Sequence, residues 1–149
     1  MDIYTIGYEG LSIEKFSDAL MKENVSVVVD VRNLPLSRKK GFSKTSLSDH
    51  LDKNNIDYVN IRGLGAPKAM REELKATNDY KSFFSRFRES IKPRQNLIDE
   101  ILSMVYDGKK VSLLCFERDY NYCHRKIVAE EIKKRDGNGL KIRHLAPAI

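Results

Sequence analysis

Six reactive or charged side chains, Cys115, Glu117, Arg118, Cys123, His124 and Arg125, fall within eleven positions of this chain. They follow Val111-Ser-Leu-Leu-Cys115, an apolar run of strand type, and precede Ile127, Val128 and Ile132, which recur at helical spacing among Lys and Glu. The order predicts strand, polar loop, helix, with Cys123 and His124 on the first turn of a helix running to about Arg135. The N–H groups there have no partners, and the macrodipole lowers a thiol's pKa and attracts phosphate or carboxylate. Arg125 adds a forked, permanent cation suited to oxyanions. Two chemistries follow, an anion site and a nucleophilic thiol at Cys123. Against them stands a structural expectation, in which Arg125 pairs with Glu117 or Asp30 to hold the loop shut and the cysteines are buried, inert packing groups.

Spacing restrains the thiol chemistry. Rhodanese and cysteine-phosphatase loops close their anion cradle with a basic side chain, and Asn121 stands where Cys115 would need it. Cys123 and His124 are adjacent, so on a helix they diverge, and His124 is not automatically the base for that sulfur. A metal would need Cys115, Cys123 and His124 with His50 or His144 as a fourth donor. Zinc ligands usually come as close pairs, and this spacing matches no standard pattern, so no metal is expected and no cofactor is assigned.

Two other strand ends carry comparable groups. Val25-Ser-Val-Val-Val29 stops at Asp30-Val31-Arg32 and a loop holding Ser37 and Arg38, and Ile3-Tyr-Thr-Ile6 runs into Gly7-Tyr8-Glu9-Gly10. Asp30 and Glu117 are candidates for acid–base work, or else hold the arginines beside them. Gly7 and Gly10, like Gly63 and Gly65, would let the backbone approach a ligand but complete no phosphate-loop or dinucleotide fingerprint.

The remaining chain alternates in type. Ser12 is a good N-cap for a helix with Ile13, Phe16 and Leu20 on one face. Ser43–Lys53 reads as a second helix and Ile56–Ile61 as a third strand, followed by a stretch to about Asp79 without a clean period, expected to be a long loop or short helix. Two helices, broken at Pro93, precede the Lys110–Cys115 strand, and Lys141–His144 is a short last strand. Strands alternating with helices require crossovers. The expectation is an α/β fold, a single three-layer Rossmann-like domain over residues 1–149 with a mostly parallel sheet of about five strands. All three polar strand ends would then face one crevice. Its catalytic candidates are Asp30, Glu117, Cys123 and His124, and its substrate-binding candidates are Gly7, Tyr8, Arg32, Ser37, Arg38, Cys115 and Arg125.

Composition agrees with that scale. With 149 residues, 41% of them apolar, the chain can build one core. The net charge is +6 and the pI near 9.3. The excess favours an anionic partner, a phosphate-containing small molecule or nucleic acid, or simply gives solubility. There is no apolar run of the roughly 20 residues that span a bilayer and no secretory layout, so no membrane is involved and the cytoplasm is the expected compartment. In that setting Cys115 and Cys123 are thiols rather than a bridge.

Thr5-Ile-Gly-Tyr8, Asp30-Val-Arg32 with Pro35 and Ser37-Arg38, Gly41-Phe42, Leu64-Gly65, Leu114-Cys-Phe-Glu117 and Cys123-His-Arg125 together resemble the widespread prokaryotic domain-of-unknown-function family 488. The resemblance spans nearly the whole chain in order. It implies a shared site at the strand ends already singled out, without naming a substrate. The first expectation of function is a nucleotide- or nucleic-acid-related enzyme with an anion-binding pocket at the carboxyl edge of the sheet. The alternatives are a non-catalytic nucleic-acid-binding or regulatory module, and a rhodanese-like sulfur or phosphoryl transferase using Cys123 or Cys115.

Overall fold

Short apolar runs separated by amphipathic segments can pair in parallel only if each connection crosses over a face of the sheet. The computed structural model describes residues 1–149 and has that form. Its strands are β1 (Asp2–Gly7), β2 (Val27–Asp30), β3 (Asp57–Asn60), β4 (Val111–Cys115) and β5 (Lys141–His144). All pair in parallel, in the order β3-β2-β4-β1-β5. The central strands β2 and β4 are buried along their whole length, as a parallel sheet covered on both faces requires, whereas the edge strands β3 and β5 are partly exposed.

Helices α1 (Ile13–Lys22) and α2 (Lys44–Lys53) cover one face, where Phe16, Leu20, Leu47 and Leu51 pack on Tyr4, Ile6, Val28 and Leu114. Helices α3 (Lys68–Thr77), α4 (Tyr80–Ile91), α5 (Gln95–Tyr106) and α6 (Arg125–Asp136) lie on the other, above Ile3, Val27, Val29, Val111 and Leu113. Alternate strand residues thus serve opposite layers, giving the three-layer α/β arrangement expected. Ser12 caps α1 as anticipated, accepting the Lys15 N–H at 3.1 Å. Pro93 lies in the 3-10 turn Lys92–Arg94 that separates α4 from α5.

Two elements depart from the sequence reading. β2 begins at Val27, because Val25 N–H still closes α1 through Leu20 O. The stretch without a period, expected as a long loop or a short helix, takes the second form as the ten-residue α3, which has no buried residue; only Met70 and Leu74 lean on the core. The last long helix starts at Arg125, preceded by a 3-10 turn at Tyr120–Tyr122 and an extended Cys123. Cys123 therefore does not sit on a helical first turn.

The topology sets where a ligand can enter. β1 and β2 lead to helices on one face and β4, lying between them, leads to α6 on the other. The connections after β4 and its neighbours thus part to opposite sides, opening a crevice at their carboxyl ends.

Candidate functional site

A pocket of about 480 Å³ occupies that crevice. Its floor is built by residues at or just after three strands: Tyr8 beyond β1, Arg32 beyond β2, and Cys115, Phe116 and Glu117 at the end of β4, with His124 ahead of α6. Leu34, Leu36 and Ser37 form one wall, and Arg71, Leu74 and Lys75 of α3 with Tyr80 and Phe83 of α4 form the other. Tyr122 reaches in from the 3-10 turn and meets Tyr80 edge to face. The lining is mainly apolar and aromatic, with a few convergent polar groups, as small-molecule sites are.

Of the residues expected to share one crevice, the fold brings Tyr8, Arg32, Ser37, Cys115, Glu117 and His124 to the pocket surface. Asp30, Cys123 and Arg125 lie behind it, fully buried. Gly7 is a structural neighbour rather than part of the lining, and Arg38 is exposed on the loop outside.

The acidic end of β2 is occupied within the protein. Asp30 accepts hydrogen bonds from Arg32 Nε at 2.9 Å and Nη2 at 2.7 Å, and from the Tyr58 hydroxyl at 2.5 Å. Arg32 Nη1 donates to Phe42 O at 2.7 Å and to the Tyr8 hydroxyl at 3.2 Å. Burial works against the charge on Arg32, but Asp30 outweighs it and holds the guanidinium more firmly protonated than usual. Burial, reinforced by the bond to Asp30, pushes the Tyr58 hydroxyl above its ordinary range. Asp30 is thus an anchor for Arg32, in keeping with the ion-pair expectation rather than the acid–base one.

Arg125 likewise faces inward. Its Nε donates to Thr5 Oγ1 at 3.1 Å, Nη1 to Glu117 O at 2.5 Å and Nη2 to Arg118 O at 3.2 Å. It holds the loop shut, but through backbone carbonyls rather than the carboxylates of Glu117 or Asp30, and leaves no fork for a ligand. Thr5 passes the polarity on, its hydroxyl sharing a hydrogen bond of 2.6 Å with His144 Nδ1.

Both thiols are free and buried, as the packing expectation for the cysteines had it, and not as the nucleophilic one did. Cys115 Sγ donates to Glu117 Oε2 at 3.3 Å and lies 3.6 Å from His124 Nδ1. His124 Nε2 is 2.7 Å from Val31 O, a pure acceptor, which assigns the ring proton to Nε2 and leaves Nδ1 turned towards the sulfurs. Cys123 is only 1% exposed, and burial, with its neighbour Cys115, drives its thiol well above the ordinary range. The acidic thiol anticipated from a helix N-terminus is absent because Cys123 precedes the helix and is sealed from solvent. The sulfur that reaches the pocket is that of Cys115.

Arg71 and Lys75 were not singled out as site residues, nor were Tyr80, Phe83, Phe116 and Tyr122. The one sequence signal for the cations was a basic pair at i and i+4 flanking Leu74, which puts both on one side of a helix once α3 is known to be helical.

Fold and pocket define a doubly wound α/β protein whose crevice opens at the topological switch point, the place where such folds bind ligands. The family model described as domain of unknown function DUF488 matches residues 12–132, and this chain belongs to that family. The matched segment leaves out β1, which ends at Gly7, and Tyr8 just beyond it. No curated protein and no solved structure matched the chain. No helix is long and apolar enough to cross a membrane.

Proposed function

We propose that this protein is an enzyme acting on a phosphate-containing small molecule of nucleotide size, held in the pocket at the carboxyl edge of the sheet. The observation that carries the reading is the floor of that pocket, where a thiol, an imidazole nitrogen and a carboxylate converge within 3.6 Å of Cys115 Sγ. Groups that exchange protons, gathered at the bottom of a cleft, suit chemistry better than passive docking. Above them, Tyr80, Tyr122 and Phe116 offer ring faces and edges to a planar base. Arg71 donates one N–H to Ala66 O at 3.1 Å, and its exposed guanidinium stands one turn from Lys75, a pair suited to phosphate.

A non-catalytic nucleic-acid module would want cations spread along a face. Here Arg125 is withdrawn into the protein and Arg32, at the pocket floor, is tied to Asp30, while the other cations at the ligand space, Arg71 and Lys75, line a pocket, which favours the small molecule. Two free thiols fit a reducing, cytoplasmic setting.

Thermal shift against a panel of nucleotides tests the proposal. A nucleotide at a hundred times its dissociation constant stabilises the fold by about 2.7 kcal/mol, and the Arg71→Ala, Lys75→Ala double variant should lose most of that response. If no nucleotide raises the melting temperature while DNA or RNA is retained with steep salt dependence, the binding-module reading replaces this one.

A further inference from the structure

The side chains at the pocket floor also have the donor types and separations of a metal centre. Cys115 Sγ, Cys123 Sγ and His124 Nδ1 all lie within 4.8 Å of one another, the imidazole nitrogen being 3.6 Å from one sulfur and 4.0 Å from the other. Glu117 Oε2 sits 3.3 Å from Cys115 Sγ. Around a tetrahedral zinc ion, with bonds of about 2.3 Å to sulfur and about 2.0–2.2 Å to nitrogen and oxygen, neighbouring donors stand about 3.3–3.8 Å apart. The three donors run from that spacing to somewhat wider, so an inward movement of the side chains would bring them onto one ion.

We infer that Cys115, Cys123 and His124 form a three-donor binding site for a borderline-soft divalent metal ion of the zinc type, with the Glu117 carboxylate beside Cys115. Two sulfurs and one imidazole are a donor set for such an ion, leaving a fourth position open, and not for magnesium or calcium, which take oxygen ligands. An independent feature supports the assignment. His124 Nε2 donates to Val31 O at 2.7 Å, the outer hydrogen bond that metal-binding histidines use to fix their tautomer and aim the free nitrogen. The Arg125 backbone N–H, 3.5 Å from Cys123 Sγ, would stabilise that sulfur as a thiolate. Cys115, Cys123 and His124 are 4%, 1% and 7% exposed, so most of the shell is dry.

The spacing along the chain argued against a metal because the ligands do not come as two close pairs. Folding supplies the pairs: the loop after β4 turns back and sets Cys123-His124 against Cys115 and Glu117. Cys115 and Glu117 line the pocket while Cys123 lies behind it, so a bound ion would face the ligand space. Binding converts two thiols to thiolates and releases two protons to solvent, which makes affinity fall as pH drops. The site is argued from its own donors and does not depend on the nucleotide reading.

The test uses the full-length protein, stripped with a chelator under reducing conditions and titrated with Co²⁺, then Zn²⁺. One equivalent of Co²⁺ should give thiolate charge-transfer absorption and tetrahedral d–d bands, and Zn²⁺ should displace it. Cys123→Ser, a near-isosteric change, should weaken binding by at least about tenfold and reduce the charge-transfer intensity. With the unaltered protein, Zn²⁺ should slow iodoacetamide modification of Cys115, so the inference stays testable if the variant does not fold. Cobalt binding without thiolate bands, or a Cys115–Cys123 disulfide in place of uptake under these conditions, would overturn it. Arg71→Ala should leave the cobalt spectrum unchanged while weakening nucleotide binding, which keeps failure of the two readings distinct.

Discussion

Gly7 ends β1 directly against the backbone of Glu117, so close that a Cβ at this position would overlap the Glu117 carbonyl oxygen. The same oxygen accepts from Arg125 Nη1 at 2.5 Å. The end of β1, the loop after β4 and the start of α6 therefore meet at one point, and Cys115, the register partner of Gly7, is fixed with them. Gly7→Ala should cost at least about 2 kcal/mol by overpacking and displace the loop carrying Glu117. Urea unfolding checks the energy, and an unchanged midpoint would mean that the contact yields without strain.

Removing one partner of the buried Asp30–Arg32 pair leaves a charge without compensation. Asp30→Ala is expected to lose about 3–5 kcal/mol, whereas Tyr58→Phe, which deletes one hydroxyl bond to the same carboxylate, should lose only about 1 kcal/mol. The two losses should not add in the double variant, because both act on one network. Additive losses would place Tyr58 outside it.

His144 offers a pH dependence with a defined sign. Burial, followed by the charges of Arg125 and Lys126, pushes it down from 6.5 to about 4. The ring stacks on Tyr120 with centroids 3.7 Å apart and shares a hydrogen bond with the Thr5 hydroxyl through Nδ1. Between pH about 4 and about 6.5 the unfolded chain binds this proton and the folded chain does not, so stability from this group is full above about 6.5 and falls as the solution is acidified. His144→Gln should flatten that part of the stability curve, as followed by denaturant midpoints across the range. An unchanged slope would assign the acid sensitivity to other groups.

The two thiols should differ in reactivity in the metal-free protein. Cys115 lines the pocket, while Cys123 is sealed and its thiol is held well above the ordinary range. Iodoacetamide at neutral pH should therefore modify Cys115 first, with Cys123 following only on unfolding, as peptide mapping would show. Earlier modification of Cys123 would mean that the loop opens in solution.

The alternation of apolar strands with amphipathic helices was legible in the sequence because it rests on local periodicity: Val27, Val28 and Val29 must be covered on both faces, and Phe16 with Leu20, or Leu47 with Leu51, must each face a sheet. From parallel strands alone it followed that Tyr8, Arg32, Cys115 and Glu117 lie at one edge. For α3 the choice between loop and short helix stayed open, because a helix that buries no residue leaves no apolar period. The direction of Arg125 was equally hidden. Whether a guanidinium points at a ligand or into the protein depends on which carbonyls the folded loop offers it, here those of Glu117 and Arg118. Cys123 and Cys115 stand eight positions apart, and no spacing rule brings them to one imidazole. Their meeting at His124 is decided by the turn of the β4–α6 loop and the short reach of hydrogen bonds, which exist only once the layers have packed.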